Sequence, residues 1–214
     1  ILGVILGVWG AVRQYRTSDR IVTAASYLLF ATPTVVMAIL LMILATYFNQ
    51  AVGSQIIRFT GQYSPGIPNE FWPQLGDRLS HLLLPTLVLI LGAAASYSRY
   101  QRSAMLDVLG ADYIRTARSK GRTRGSALVR HGVRVALIPM STFFAYSFGT
   151  LVAGATMLEI MFGWHGMGEL TIQAVQQDDI NAVAGSTMFV AVLILCSSTL
   201  SEVLYAALDP RVRR

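Results

Sequence analysis

The chain is predicted to be all-α, a polytopic bundle of membrane-spanning helices, and three observations predict it. Four long runs are almost free of charge: Ile21 to Phe48, Leu82 to Ser98, Val135 to Leu158, and Ile180 to about Leu208, the last interrupted only by Glu202. Each approaches or exceeds the roughly 20 apolar residues that cross about 30 Å of hydrocarbon as a helix. Fifteen of the seventeen Lys and Arg residues fall in segments 13–20, 99–134 and 209–214, whereas segments 49–81 and 159–181 hold only Arg58 and Arg78. The two sets alternate across every uncharged run, so the positive-inside rule puts the first set in the cytoplasm. Finally, the 214 residues are 54% hydrophobic and 13% charged, with a mean hydropathy of +0.53, which is too apolar for an ordinary soluble domain.

In chain order, Ile1 to Val12 is only about 18 Å long as a helix. It reads as a partial span that has lost its N-terminal continuation, and not as a signal peptide, because its basic residues follow the apolar run. Gly3, Gly7 and Gly10 lie near one face and suit close helix packing. Arg13, Arg16 and Arg20 form a basic turn offset only by Asp19. The run Ile21 to Phe48 is longer than a span needs, and Pro33 inside it predicts a kink or break, which makes it a gating candidate. Segment 49–81, punctuated by Gly53, Gly61, Pro65, Gly66, Pro68 and Pro73, is expected to be an external loop. Its Phe71, Trp72 and Leu75 suit either the headgroup level or a soluble partner.

Leu82 to Ser98 just spans if His81 and Arg99 sit at the two interfaces, with Pro85 tolerated in its first turn. Val135 to Leu158 carries Pro139 near its start, a second gating candidate. The loop 159–179 is acidic, and its Phe162-Gly-Trp-His-Gly-Met-Gly168 run predicts a re-entrant or interfacial turn; Glu159 and Trp164 in this region are pathway candidates. Asp178 and Asp179 suit the positive end of the last helix. Asp209-Pro210 ends that helix, and Cys196 reads as a small core residue.

The basic segment 99–134 organises the rest, since it carries nine of the Lys and Arg residues between two uncharged runs. Within it, Asp112-Tyr-Ile-Arg-Thr-Ala-Arg-Ser-Lys-Gly121 predicts a short helix. Asp112 can accept from the first free N–H groups and Gly121 can take the left-handed turn that ends it. Arg115, Arg118 and Arg122 share one face, beside an apolar strip of Tyr113, Ile114 and Ala117. The pattern suits docking, and a second helix start at Thr123 runs on into the next span. Thr116, Ser119 and Lys120 complete the candidate coupling element.

Several chemistries are excluded. Gly121-Arg-Thr-Arg-Gly125 lacks the spacing and Lys-Ser/Thr ending of a phosphate loop. His81, His131 and His165 are scattered and no His-Glu-x-x-His occurs, so metal hydrolysis has no support. The single Cys196 excludes an internal disulfide. Concentration of the basic residues in three segments is explained by topology, not by nucleic-acid binding. The spans lack the midplane ionisable residues expected of a secondary transporter, Glu202 aside. Work for transport would then enter through the basic loop. A membrane scaffold or receptor whose loop binds anionic lipid or a signalling protein is the other reading of the same charges.

The run Asp112 to Gly121, followed by Leu128-Val-Arg-His131 and Ala136-Leu-Ile-Pro139, resembles the cytoplasmic signature loop of ABC importer permeases of the dipeptide, oligopeptide and nickel subfamily. Leu158-Glu-Ile-Met-Phe-Gly-Trp-His-Gly-Met-Gly168 and Tyr205-Ala-Ala-Leu-Asp-Pro-Arg211 extend the resemblance over nearly the whole chain, to the first permease subunit. It implies a type I importer permease fold with short cytoplasmic coupling helices, in a bacterial inner membrane. It further implies a non-catalytic subunit paired with a second permease, two cytoplasmic ATPases that hold ATP and Mg, and an external substrate-binding protein. The helix Asp112 to Lys120 would fit a cleft on an ATPase, with Gly121 as the signature glycine and Arg115 near the place of the general motif's Glu. Peptides, nickel complexes and haem are all cargo that the resemblance allows.

Overall fold

The computed structural model describes residues 1–121, 123–128, 132–153 and 155–208. Among these there are only helices: α1 (Leu2–Val12), α2 (Thr17–Ala31), α3 (Thr34–Val52), α4 (Phe71–Leu109), α5 (Asp112–Ser119), α6 (Arg124–Ala127), α7 (Val133–Ala153), α8 (Thr156–Phe162), α9 (Met167–Gln176) and α10 (Ile180–Leu208). The all-α expectation is met. Among the described residues α3, α4 and Ile180–Ala206 of α10 are long and apolar enough to cross a membrane. The chain divides into two compact units, residues 1–31, 93–150 and 191–214 in the first, and 32–92 and 151–190 in the second. Basic segments 13–20 and 99–134 both fall in the first unit; the loop before α4 and the turn between α8 and α9 fall in the second.

In the first unit, the glycines of α1 lie buried against α4. A Cβ on Gly7 would stand 2.6 Å from the Ser98 carbonyl oxygen and 2.7 Å from the Gln101 Cβ, so only glycine permits this approach. The basic turn that follows is not merely offset by Asp19. That carboxylate is 2% exposed, and Arg102 of α4 donates to it through Nε and Nη2, each at 2.8 Å. The Tyr15 N–H (3.0 Å) and the Thr23 hydroxyl (3.4 Å) donate to it as well. Further along, the Tyr97 hydroxyl donates to Ser147 at 2.9 Å, and Gly149 of α7 faces Ser197 of α10. Cys196 is exposed and not in a core, because α10 buries little of its apolar surface within the chain.

In the second unit, Thr32 and Pro33 break the uncharged run into α2 and α3, as the missing proline N–H requires. The 28-residue span expected there is two helices. The following loop is shorter than expected: α4 begins at Phe71, with Pro73 in its first turn, where it costs little. Pro85 consequently lies well inside α4 and not in a first turn. Phe71, Trp72 and Leu75 are exposed on the opening turns of that helix. The loop is tied down by Asp77, which accepts from Arg58, from the Ser64 N–H at 2.6 Å and from the Ser64 hydroxyl at 2.8 Å. His81 is 3% exposed with Nδ1 2.9 Å from the Asp77 carbonyl, so it is an internal residue of this network and not an interfacial one.

Two other boundaries moved. Segment 99–109, expected to open a loop, continues α4 for nearly three turns, because Gln101, Met105 and Val108 are buried there. The span expected at 135–158 is helical only to Ala153; Leu158 belongs to α8, and Gly154 lies outside the described residues. The Asp209-Pro210 stop and the terminal arginines also lie outside them.

The Asp19 carboxyl is held below its ordinary pKa, chiefly by the hydrogen bonds from Arg102, against the opposing effect of burial. Its folded pKa being lower than its unfolded one, the pair's stabilisation is complete above about pH 4 and is lost as pH falls through the folded value. Melting temperature in detergent, followed from about pH 6 down to about pH 3, should therefore fall on the acid side. Asp19→Asn should start lower and lose much of that acid-side slope; an unchanged slope would show that the pair is energetically silent.

Candidate coupling site

The candidate site is built on α5. Its first turn is closed by the Ala111 carbonyl, which accepts from Ile114 N–H (3.1 Å) and Arg115 N–H (3.4 Å). Ala111, and not Asp112, thus stands at the cap position; the Asp112 carboxylate, 96% exposed, lies within the first turn and pairs loosely with Arg115 at 3.9 Å. An anion there still suits the positive helix end. The Thr116 hydroxyl donates to the Asp112 carbonyl (3.0 Å) and the Ser119 hydroxyl to the Thr116 carbonyl (2.9 Å), so both spend their donors on α5 itself. Lys120 N–H closes on Thr116, and Gly121 turns the chain with φ +85°. Nothing lies within 4 Å of a Cβ built on Gly121, so conformation alone demands glycine there.

Among the described side chains of α5, one is buried. Ile114 is 3% exposed and packs in a cluster with Ala11 of α1, Met105 and Val108 of α4, Leu128, and Ala136 of α7. Asp112, Tyr113, Arg115, Thr116, Ser119, Lys120 and Gly121 are all exposed. Of the expected apolar strip, Ile114 is buried and Tyr113 is 42% exposed. The side chains of Ala117 and Arg118, and all of Arg122, lie outside the described residues. After the turn, Thr123 Oγ1 accepts from Ser126 N–H at 3.3 Å, which is the second helix start read from the sequence.

The gating and pathway candidates are not gathered with α5. Pro139 is inside α7, and Pro33 stands at the start of α3. Glu159 and Trp164 do belong together, in the turn joining α8 to α9. Glu159 accepts the Glu169 N–H at 3.0 Å, holding the start of α9, while its own carbonyl accepts the Trp164 N–H at 2.8 Å. A Cβ on Gly166 would strike that carboxylate. Arg78 lies 5.5 Å from the rings of both Tyr63 and Trp164. The expected folded turn is thus a tight helical hairpin whose Glu159 has a structural partner. The Asp19–Arg102 and Arg58–Asp77 pairs were missed by sequence reading; their one signal was a carboxylate alone among basic or neutral residues.

This arrangement can present a polar rod to another protein; no cluster of three metal-ligating side chains occurs among the described residues. Three apolar helices of spanning length among the described residues define a multi-helix membrane-embedded protein. A family model described as binding-protein-dependent transport system inner membrane component matches residues 3–214, and the chain belongs to that family. It is 55% identical over 213 residues to the oligopeptide transport system permease protein OppB of Mycobacterium tuberculosis, covering all of this chain and 66% of that protein. The oligopeptide transport system permease protein AppB of Bacillus subtilis is 32% identical over 213 residues, 99% of this chain and 64% of its own length. The dipeptide transport system permease protein DppB of Escherichia coli is 40% identical over 150 residues, 69% of this chain and 44% of its own length. The chain thus spans just under two thirds of the length of the curated relatives it matches over its full extent.

If Ile114 is what seats α5, Ile114→Ala should cost about 2–4 kcal/mol by removing a buried side chain. Hydrogen exchange at the amides of Ile114 to Lys120 should accelerate by orders of magnitude while that of α4 changes little. Exchange unchanged from wild type would show that α5 is held some other way.

Proposed function

We propose that the chain is the main part of a permease subunit of an ATP-driven importer in a bacterial inner membrane. It forms half of a translocation path for peptides with a second permease as partner. Two cytoplasmic ATPases supply the work, and an external substrate-binding protein delivers cargo. ATP and Mg are assigned to the ATPases, since the sequence has no phosphate loop, and no catalytic role falls to this chain. The five helices expected to make the membrane domain, with the external loops and the basic coupling loop, form one permease domain.

The observation that carries this reading is the pairing of an exposed rod with a buried root. The polar side of α5 is free to enter a cleft, while Ile114 fastens it to residues of α1, α4 and α7. A displacement of α5 by a closing ATPase would then reach α7 as rigid-body motion, because a packed cluster moves as a unit and does not deform smoothly. The names of the oligopeptide and dipeptide relatives support peptides as cargo. Glu159 and Trp164, in the turn whose Phe162 carbonyl accepts the Gly61 N–H of the loop before α4, are proposed to shape the external mouth of the path.

Charge reversal on the rod tests this. Arg115→Glu with Arg118→Glu in the full-length subunit, assembled with its ATPases, should lower peptide uptake about tenfold or more, the equivalent of one or two lost charge-assisted contacts. ATP hydrolysis should persist but no longer respond to loaded binding protein. Uptake at the wild-type rate would refute the coupling role.

A further inference from the structure

We propose that the first unit holds a binding site for the phosphate of an anionic phospholipid, in a cavity of about 190 Å³ between α2 and the cytoplasmic part of α4. Its walls include Asp19, Ser26 and Tyr27 from α2, and Ser98, Arg99 and Arg102 from α4. The inference rests on membrane embedding and on which side is cytoplasmic, and not on transport.

Two guanidinium groups and one carboxylate line the cavity, so it carries a net charge of about +1. Asp19 cannot neutralise both, because its two oxygens already accept from Arg102 twice, from the Tyr15 N–H and from the Thr23 hydroxyl. Arg99 has no carboxylate partner among the described residues. Its guanidinium carbon instead sits 4.4 Å from the ring centres of both Tyr27 and Phe30. Such ring contacts hold the group in place but satisfy none of its N–H donors with an oxygen acceptor. Arg102 spends Nε and Nη2 on Asp19 and keeps Nη1. Ser26 and Ser98, both buried, add hydroxyls to the wall.

Arg99 stands where the uncharged run of α4 gives way to the basic segment, which is the depth of the headgroups on the cytoplasmic side. Tyr27 and Phe30 are 54% and 57% exposed on an uncharged stretch of α2, so acyl chains can lie against the same rings that fix the guanidinium. The cavity is roomy enough to admit a phosphodiester. A phosphate with one negative charge would complete the charge balance, accept from two arginines at once and leave its chains in the bilayer.

The test uses the full-length protein, in the assembly in which it purifies, placed in nanodiscs of phosphatidylcholine and phosphatidylglycerol and released for native mass spectrometry. Wild type should retain phosphatidylglycerol, Arg99→Gln should lower that affinity about tenfold, and Arg99→Lys should lose less. Tyr27→Leu, which leaves every charge in place on an exposed site, should also weaken retention and covers the case in which Arg99→Gln fails to assemble. Arg115→Gln on α5 should leave retention of phosphatidylglycerol at the wild-type level. Equal retention in wild type, Arg99→Gln and Tyr27→Leu would overturn the assignment. So would an equal loss in Arg115→Gln, which would mean diffuse attraction to basic surface. Displacement of the lipid by excess inorganic phosphate would assign the site to free phosphate and likewise overturn the lipid.

Discussion

A helix of eight residues, most of them polar, does not hold itself together in water. Among its described side chains, Ile114 is the one that seats α5, buried among Ala11, Met105, Val108, Leu128 and Ala136. Everything functional in the account hangs on that seat. The cluster brings α1, the C-terminal end of α4 and the start of α7 to the base of one exposed rod. A load on the rod is therefore a load on membrane helices and not on a tether.

Two different kinds of contact keep the seat in place. Between α1 and α4 it is close approach, with Gly3 and Gly7 letting backbone meet backbone at distances that a single methyl would prevent. Between α2 and α4 it is a desolvated ion pair, Asp19 with Arg102, whose carboxylate has every lone pair engaged. The first is non-polar and needs no partner beyond shape; the second is costly unless complete, which is why four donors surround it. The second unit uses the same device elsewhere, with Asp77 gathering Arg58 and both donors of Ser64 to hold an otherwise proline- and glycine-rich loop.

The helix at Asp112, its stop at Gly121, the glycine face of α1, the break at Pro33 and the Asp179 cap of α10, which accepts the Ala182 N–H at 3.0 Å, could all be read from the sequence. Each depends on residues within a few positions of one another, where helix chemistry is local. Family membership was legible for a similar reason, since the motifs are contiguous runs. What escaped was anything set by distant partners. Asp19 looked like a stray acid until Arg102, 83 positions away, was seen to need it. His81 looked interfacial by spacing, yet it is buried in the Asp77 network, and nothing beside Arg99 in the sequence pointed to the two α2 rings that grip it. Helix ends were misplaced where charge was taken as the boundary. α4 keeps going through Arg99 and Arg102 because its other face is still covered. Cys196 failed in the opposite sense, since an apolar run in a membrane protein need not face its own core.

The central claim is that the rod seated by Ile114 lies on the cytoplasmic side, where it can meet an ATPase. Its most direct test is the accessibility of a Lys120→Cys variant in a Cys196→Ser background to a membrane-impermeant thiol reagent. The account predicts no labelling in intact cells, rapid labelling in inverted vesicles, and protection there when the ATPases are bound. Labelling from the outside of intact cells would contradict it.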